Sequence, residues 1–352
     1  MPFAADRRDN VAGYEKAMLT YVLRRLIGTL PVIVLISLCV FLLLQAAPGD
    51  PADILISDEA SPEEIAEARR RWGLDQPIHI QYWRFLSAAL VGDFGHSIKY
   101  DVPVLSIIGE RFPATLELAF FATVLSIVIG VPLGILASKR PNSWFDNVSS
   151  LSGFFGVSMP NFWLAIMLIL IVSGYFNLLP SSGRNTFDVP GDPITGFLIL
   201  DSILQRDWTA LVDAAKYLVL PVIVLGVNMT GLLMRMTRSA MLEVLSEDYI
   251  MTARAKGLSE RAVVWGHALK NARITVITVV GLEFGALISG SIIVETVFAW
   301  PGIGQLLLQG ITSRDYPLIT GLVLVYTSLF IVVNLIVDFL YAAADPRIRL
   351  GH

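Results

Sequence analysis

Charge is scarce in this chain of 352 residues: Asp, Glu, Lys and Arg together make up 16%, against 55% hydrophobic residues and a positive mean hydropathy. A soluble globular domain carries about a quarter charged residues, so this composition points to an integral membrane protein. Cysteine is scarcer still. Cys39 is the only one, which excludes a disulfide framework and any Cys-based metal site within the chain. Histidine occurs only at His79, His96, His267 and His352, and no His-Glu-x-x-His pair exists. No Gly-x-x-x-x-Gly-Lys-Ser/Thr loop is present to cradle a nucleotide's phosphates. Gly156-Val157-Ser158-Met159-Pro160 lacks the second glycine of a nucleophile elbow, so hydrolase chemistry is not expected.

Long apolar runs, by contrast, are abundant. Crossing a hydrocarbon core of about 30 Å takes about 20 apolar residues. Six stretches qualify: Leu26–Ala46, Leu116–Ser138, Leu151–Tyr175, Tyr217–Met236, Val276–Phe298 and Leu318–Tyr341. Helix is the expected form of each, because lipid offers no partner to a free peptide group. The first run could instead serve as a secretory signal, but its apolar core exceeds the usual 7 to 15 residues and further spans follow. Basic residues cluster in alternate connections. Arg7, Arg8, Lys16, Arg24 and Arg25 precede the first run, Lys139 and Arg140 follow the second, several lie between Arg235 and Arg273, and Arg347 and Arg349 end the chain. The intervening segments are rich in Asp and Glu, which predicts both termini in the cytoplasm.

The chain therefore divides into a cytoplasmic segment 1–25, a first span 26–46, an extracytoplasmic cap 47–113, a five-helix core 114–342 and a cytoplasmic tail 343–352. In the cap, Ser61, Pro62 and Glu64 form a helix-start signal. A second segment, around Tyr82, Trp83, Phe85 and Leu86, reads as an amphipathic helix at the membrane interface, either packed as a cap or open to an external partner. The segment from Leu178 to Asp213 reads as a loop.

Within the spans, Glu117, Glu283, Glu295 and Asp338 are costly enough to be functional candidates. Glu117 and Asp338 stand near helix ends, where partial solvation is expected. Glu283 is deepest, and it either lines a pathway or hydrogen-bonds a neighbouring helix; Glu295, a possible path residue, stands near the outer end of the fifth span, and Asn228 and Thr230 are similarly open. Gly281, Gly285 and Ser289 are spaced four apart and share one face, suited to close packing within the bundle or against a second subunit.

The stretch from Glu247 to Ala272, EDYIMTARAKGLSERAVVWGHALKNA, is charged and alanine-rich between two apolar runs. Ser246, Glu247 and Asp248 begin a short helix that Gly257 stops. Ser259 and Glu260 begin another, with Ala262, Val263, Trp265 and Ala268 as its apolar positions. Two helices hinged on a glycine make a protruding elbow, either a solvated hairpin or a seat for another protein.

This stretch resembles the cytoplasmic EAA loop of bacterial ABC-importer permeases. Thr252-Ala253-Arg254 occupies the Glu-Ala-Ala positions and Gly257 the glycine; Asp248-Tyr249 and Ala253-Arg254-Ala255-Lys256-Gly257-Leu258 are similar to the dipeptide and oligopeptide branch. APGDPAD at Ala47–Asp53, GDFGHS at Gly92–Ser97, ERFPATLELA at Glu110–Ala119, VSMPNFW at Val157–Trp163, VETVFAWPGIGQLL at Val294–Leu307 and RDYPLITG at Arg314–Gly321 extend the resemblance along the chain. One departure is Arg273-Ile274-Thr275, where the family carries a leucine and then a proline.

The resemblance implies an all-α, six-helix type I importer permease in a bacterial inner membrane. It also implies a homologous second permease, two cytoplasmic ATPases that bind ATP and Mg, an extracytoplasmic solute-binding protein and surrounding lipid, with no nucleic acid. It makes the elbow a coupling helix whose ATPase contacts are Tyr249, Thr252, Ala253, Arg254, Ala255, Lys256, Gly257 and Leu258. An ion-coupled transporter using Glu283, Glu295 and Asp338 is the rival reading.

Overall fold

The computed structural model describes residues 28–29, 31–43, 45, 63, 67, 70, 75–186 and 193–344, with side chains to 340. The expected segment 1–25, the Ser61–Glu64 helix start and most of the tail 343–352 lie outside the described residues. Every regular element among them is helical. Two compact units result, residues 1–101 with 314–352 and residues 102–313.

In the first unit, α1 covers Pro31–Leu43, α2 Ile78–Leu90 and α12 Tyr316–Ala344. The amphipathic segment expected around Trp83 is thus α2. Tyr82 ties it to α1, its hydroxyl 3.0 Å from Ser37 Oγ and donating to the Val34 carbonyl at 3.1 Å. Asp315, fully buried, caps α12 by accepting from the Leu318 amide at 3.1 Å. Its other carboxylate oxygen accepts from Ser97 Oγ and the Lys99 amide, so GDFGHS and RDYPLITG meet at one side chain.

In the second unit, α3 covers Val104–Lys139, α4 Trp144–Ser158, α5 Asn161–Leu168, α6 Leu198–Leu204 and α7 Trp208–Leu245. Beyond it lie α8 Asp248–Ala255, α9 Leu269–Gly290, α10 Ile292–Val297 and α11 Ile303–Thr312. Wider π turns run over Ile169–Tyr175 and Ala262–Ala268. At 1.5 Å per residue α3 and α7 are both more than about 50 Å long, far beyond the hydrocarbon core. Helix α3 starts at Val104 rather than Leu116 because Val104, Ile107 and Ile108 form a buried face that a search for uniformly apolar runs passes over.

Among the described residues four helices are long and apolar enough to cross a membrane, with α4 and α5 as a fifth if the bent pair is one span. The expected continuous span Leu151–Tyr175 is corrected here: it starts at Trp144 and bends by 99°. Pro160 is the cause, since its ring forces the residue before it out of the helical region, and Met159 is extended at φ −77°, ψ 127°. The expected span Val276–Phe298 likewise breaks after Gly290, and a turn and two short helices follow. The expected loop 178–213 contains the helix α6, held by Asp201 accepting from the Thr195 and Gly196 amides at 2.9 and 3.0 Å.

Helix α7 is the axis of this unit. Against α3 it packs in parallel, Ser126 Oγ donating to the Gly226 carbonyl at 3.0 Å, Gly130 facing Thr230 and Gly134 facing Met234. A Cβ on Gly134 would lie 2.6 Å from the Met234 carbonyl oxygen, so only glycine fits. Against α4 it packs antiparallel. Gly153 meets Gly231 so closely that a Cβ on Gly231 would lie 2.4 Å from the Gly153 carbonyl oxygen, and Gly156 meets Val227. Small residues allow such approach and gain dispersion contacts along the whole seam.

Candidate functional site

The elbow follows directly from α7. Helix α8 starts after Glu247, with Asp248 in its first turn favouring the positive end of the helix. Gly257 ends it at φ +79°, its amide donating to the Arg254 carbonyl at 2.9 Å while that of Leu258 reaches Ala253 at 3.4 Å. This is a left-handed glycine stop. A Cβ there would meet nothing within 4 Å, so what demands glycine within the chain is the backbone angle, and open space lies beside it.

Ile250 and Ala253, three apart, point inward and pack with Ile135 of α3, Ala240 and Met241 of α7, and Val263, Val264, Ala268 and Ala272. Ala253, included in the expected contact set, therefore faces the chain's own core. Tyr249, Thr252, Arg254, Ala255, Lys256, Gly257 and Leu258 are exposed. So is Met251, at 58%, which the reading of the sequence passed over although it lies on the face opposite Ile250.

Three of the exposed polar side chains have partners within the elbow, Thr252 donating to the Asp248 carbonyl at 3.0 Å. Arg254 Nε donates to Glu260 at 2.7 Å, and Asn271 donates to the Tyr249 hydroxyl at 2.5 Å. The ion pair lies in water and contributes well under about 1 kcal/mol. Trp265, expected among the apolar positions of the second helix, is 44% exposed instead, and Val264 takes the buried place. The π turn over Ala262–Ala268 is the reason, because a wider turn shifts which residues share a face.

The acidic candidates separate. Glu295 is fully buried and accepts from Thr115 Oγ1 and Ser291 Oγ, both at 2.8 Å, and from the Gln305 amide at 2.9 Å. Thr115 Oγ1 in turn accepts from the Ile303 amide at 2.9 Å, and Trp300 donates to the Ala114 carbonyl at 2.9 Å. One carboxylate thus holds the turn from α10 to α11 against α3, and Cβ atoms on Gly302 or Gly304 would collide with it. Asn228 and Glu283 are half-buried on α7 and α9, and no hydrogen bond among the described residues joins either to Glu295. On α9, Gly285 is buried, Gly281 half-buried and Ser289 exposed, so the small-residue face is only partly covered within the chain.

Glu117, expected to be partly solvated, is buried at 3% exposure. Arg184 pairs with it at 2.7 Å and also donates to the Gly196 carbonyl at 3.0 Å, while the Ile199 amide donates to its other oxygen at 2.7 Å. The partner comes from a loop remote in sequence, so nothing near Glu117 announces it. Asp146 and Arg238 form a second pair that the sequence reading missed.

A multi-pass helical membrane protein whose longest helix opens into an exposed elbow is the class this geometry defines. The chain belongs to the binding-protein-dependent transport system inner membrane component family, which residues 130–350 match, while residues 18–119 match its N-terminal family. It is accordingly a permease subunit of an inner-membrane importer, a transmembrane component rather than an ATPase. It is 42% identical over 335 residues to the dipeptide transport system permease protein DppB of Alkalihalophilus pseudofirmus, covering 94% of this chain and 100% of that one. DppB of Escherichia coli (strain K12) is 42% identical over 94% of this chain and 99% of its own. The glutathione transport system permease protein GsiC of Salmonella paratyphi A is 40% identical with the same coverage. Among solved structures, a chain of the MetNI methionine ABC transporter in an inward-facing conformation is similar with a TM-score of 0.50 at 20% identity. That match covers 66% of this chain and 93% of the other, and speaks to the fold.

Proposed function

We propose that this chain forms half of the translocation pathway of an ATP-driven dipeptide or oligopeptide importer. Similarity over nearly the whole length to dipeptide permeases carries this reading. Glutathione, itself a small peptide, is a second cargo reading, favoured by the nearly equal identity to GsiC.

The remaining assembly would be a second homologous permease, two ATPases holding ATP and Mg, and a solute-binding protein on the outer face. Both termini and the elbow lie in the cytoplasm in this reading, with the 47–113 cap outside. Tyr249, Met251, Thr252, Ala255, Lys256, Gly257 and Leu258 would enter a groove of one ATPase. Ala253 would act from beneath as packing, and Arg254 as a brace to Glu260. Asn228 and Glu283 would line the path; Glu295, its carboxylate already occupied, would hold the outer turn. The partly covered Gly281, Gly285 and Ser289 face would meet the second permease.

The test is co-expression with the partner permease and ATPases, purification through a tag on this chain, and ATP hydrolysis with binding protein and di- or tripeptides. Co-purification with peptide-stimulated hydrolysis is expected. Gly257→Asn, which tolerates the left-handed backbone, should keep more coupled uptake than Gly257→Glu. Equal, unimpaired uptake by both variants, or no complex at all, would overturn the assignment.

A further inference from the structure

Asp146 is nearly inaccessible, its side chain 2% exposed, yet it stands in the first turn of α4, a few residues after Lys139 and Arg140. Arg238 of α7 reaches it with two nitrogens, Nε to Oδ1 at 2.5 Å and Nη2 to Oδ2 at 2.7 Å. Asp146 Oδ2 also accepts from the Asn142 amide at 2.8 Å, where the backbone turns through φ +62°. The carboxylate therefore fixes the α3–α4 connection, the start of α4 and one turn of α7 at once.

An ion pair of this kind is a poor source of stability, because desolvation offsets most of the Coulomb attraction and apolar residues of equal volume would serve as well. What a two-point Arg–carboxylate contact supplies is orientation. Further along the same two helices Gly153 meets Gly231 and Gly156 meets Val227, numbers rising on α4 as they fall on α7. Three contacts in one antiparallel register fix both the tilt and the axial position of α4 on α7. The elbow's buried residues, Ile250 and Ala253, share one apolar cluster with Ala240 and Met241, two and three residues beyond Arg238 on α7. Ile135 of α3 belongs to the same cluster and is adjacent to Gly134, whose added Cβ would lie 3.1 Å from the Arg238 amide nitrogen.

We propose that Asp146 and Arg238 are a positioning pair that makes α4 travel with α7 and the elbow as one body, closed in every state of the transport cycle. The proposal rests on the importer reading above. In it, movement delivered at the elbow reaches the bent α4–α5 pair through this contact and the glycine seam, and the 99° bend at Met159-Pro160 is where α5 is freed from α4.

The test uses the complete importer in proteoliposomes, with Cys39 replaced by Ser and spin labels at Leu151 of α4 and Glu243 of α7, both exposed. The label distance should be the same, within about 2 Å, in the nucleotide-free and ATP-trapped states. Asp146→Asn and Arg238→Gln should still co-purify with the ATPases but lose about tenfold in substrate transported per ATP, the scale of a coupling contact, with a broadened label distance. The exchanged variant, Asp146→Arg with Arg238→Asp, should recover part of that ratio. A wild-type distance that shifts by several ångströms between states would overturn the proposal, as would single variants that keep full transport per ATP. Variants that only lower the yield of complex, with normal transport in what assembles, would also overturn it by reducing the pair to a folding contact. Failure of the wild-type chain to bind any ATPase would instead refute the importer reading.

Discussion

Replacing Glu295 should destabilise the permease in an order that its hydrogen bonds set. In Glu295→Ala the Gln305 amide loses its acceptor outright and Thr115 Oγ1 loses the group it donates to, although Thr115 still accepts from Ile303. Ser291 is less affected, since its hydroxyl lies 3.2 Å from the Ile288 carbonyl and can turn to it. Two orphaned buried groups at about 1–3 kcal/mol each give a cost of about 2–6 kcal/mol. The cavity left by the side chain adds to this. Glu295→Gln keeps one carbonyl oxygen but presents an NH2 to a site built from donors, so it should lose about 1–3 kcal/mol. For a chain this large each kilocalorie lowers the melting midpoint by about 2 °C. Glu295→Gln should therefore melt a few degrees below wild type and Glu295→Ala roughly 5–10 °C below it, followed by fluorescence-detected size exclusion of heated detergent samples. Wild-type stability in Glu295→Ala would refute the argument. Greater harm from Gln than from Ala would show that the mismatched donor outweighs the orphaned ones.

Two further outcomes follow from packing and charge. Gly231→Val must push α4 off α7, because its Cβ alone would overlap the Gly153 carbonyl; a loss of about 1–3 kcal/mol or more is expected, whereas Gly257→Asn should melt within a degree or two of wild type. Equal melting of the two glycine variants would show that α4 does not sit on α7. Arg184→Ala leaves Glu117 buried with only the Ile199 amide facing it, at a cost of about 3–5 kcal/mol. Arg184→Ala with Glu117→Leu should recover most of that loss in the same melting assay, and no recovery would mean that the arginine acts instead through Gly196 or through the Trp300 ring, whose centre lies 5.8 Å from its guanidinium carbon.

The membrane class, the cores of the long helices and the elbow were legible in the sequence because each is a local property. A run such as Leu318–Tyr341 is apolar at every turn, and the Asp248 start and Gly257 stop of α8 depend on their own backbone conformations. Proline's restriction on its predecessor is local too, so the Met159-Pro160 bend could have been read and was not. The glycines at 130, 134, 153 and 231 carried a signal in the four-residue spacing on α3, yet their importance depends on which helix faces them.

What the sequence by itself determined was how many residues must avoid water and where the chain turns, since hydropathy, capping and glycine conformation act within a few residues. Only the tertiary structure decided which buried polar groups are paired. Glu117 with Arg184, Asp146 with Arg238 and Ser97 with Asp315 join residues 67, 92 and 218 apart in the chain. A carboxylate's environment is set by what folds against it, so Glu295 could be read from the chain as an acid in a membrane span and from the fold as the centre of a turn.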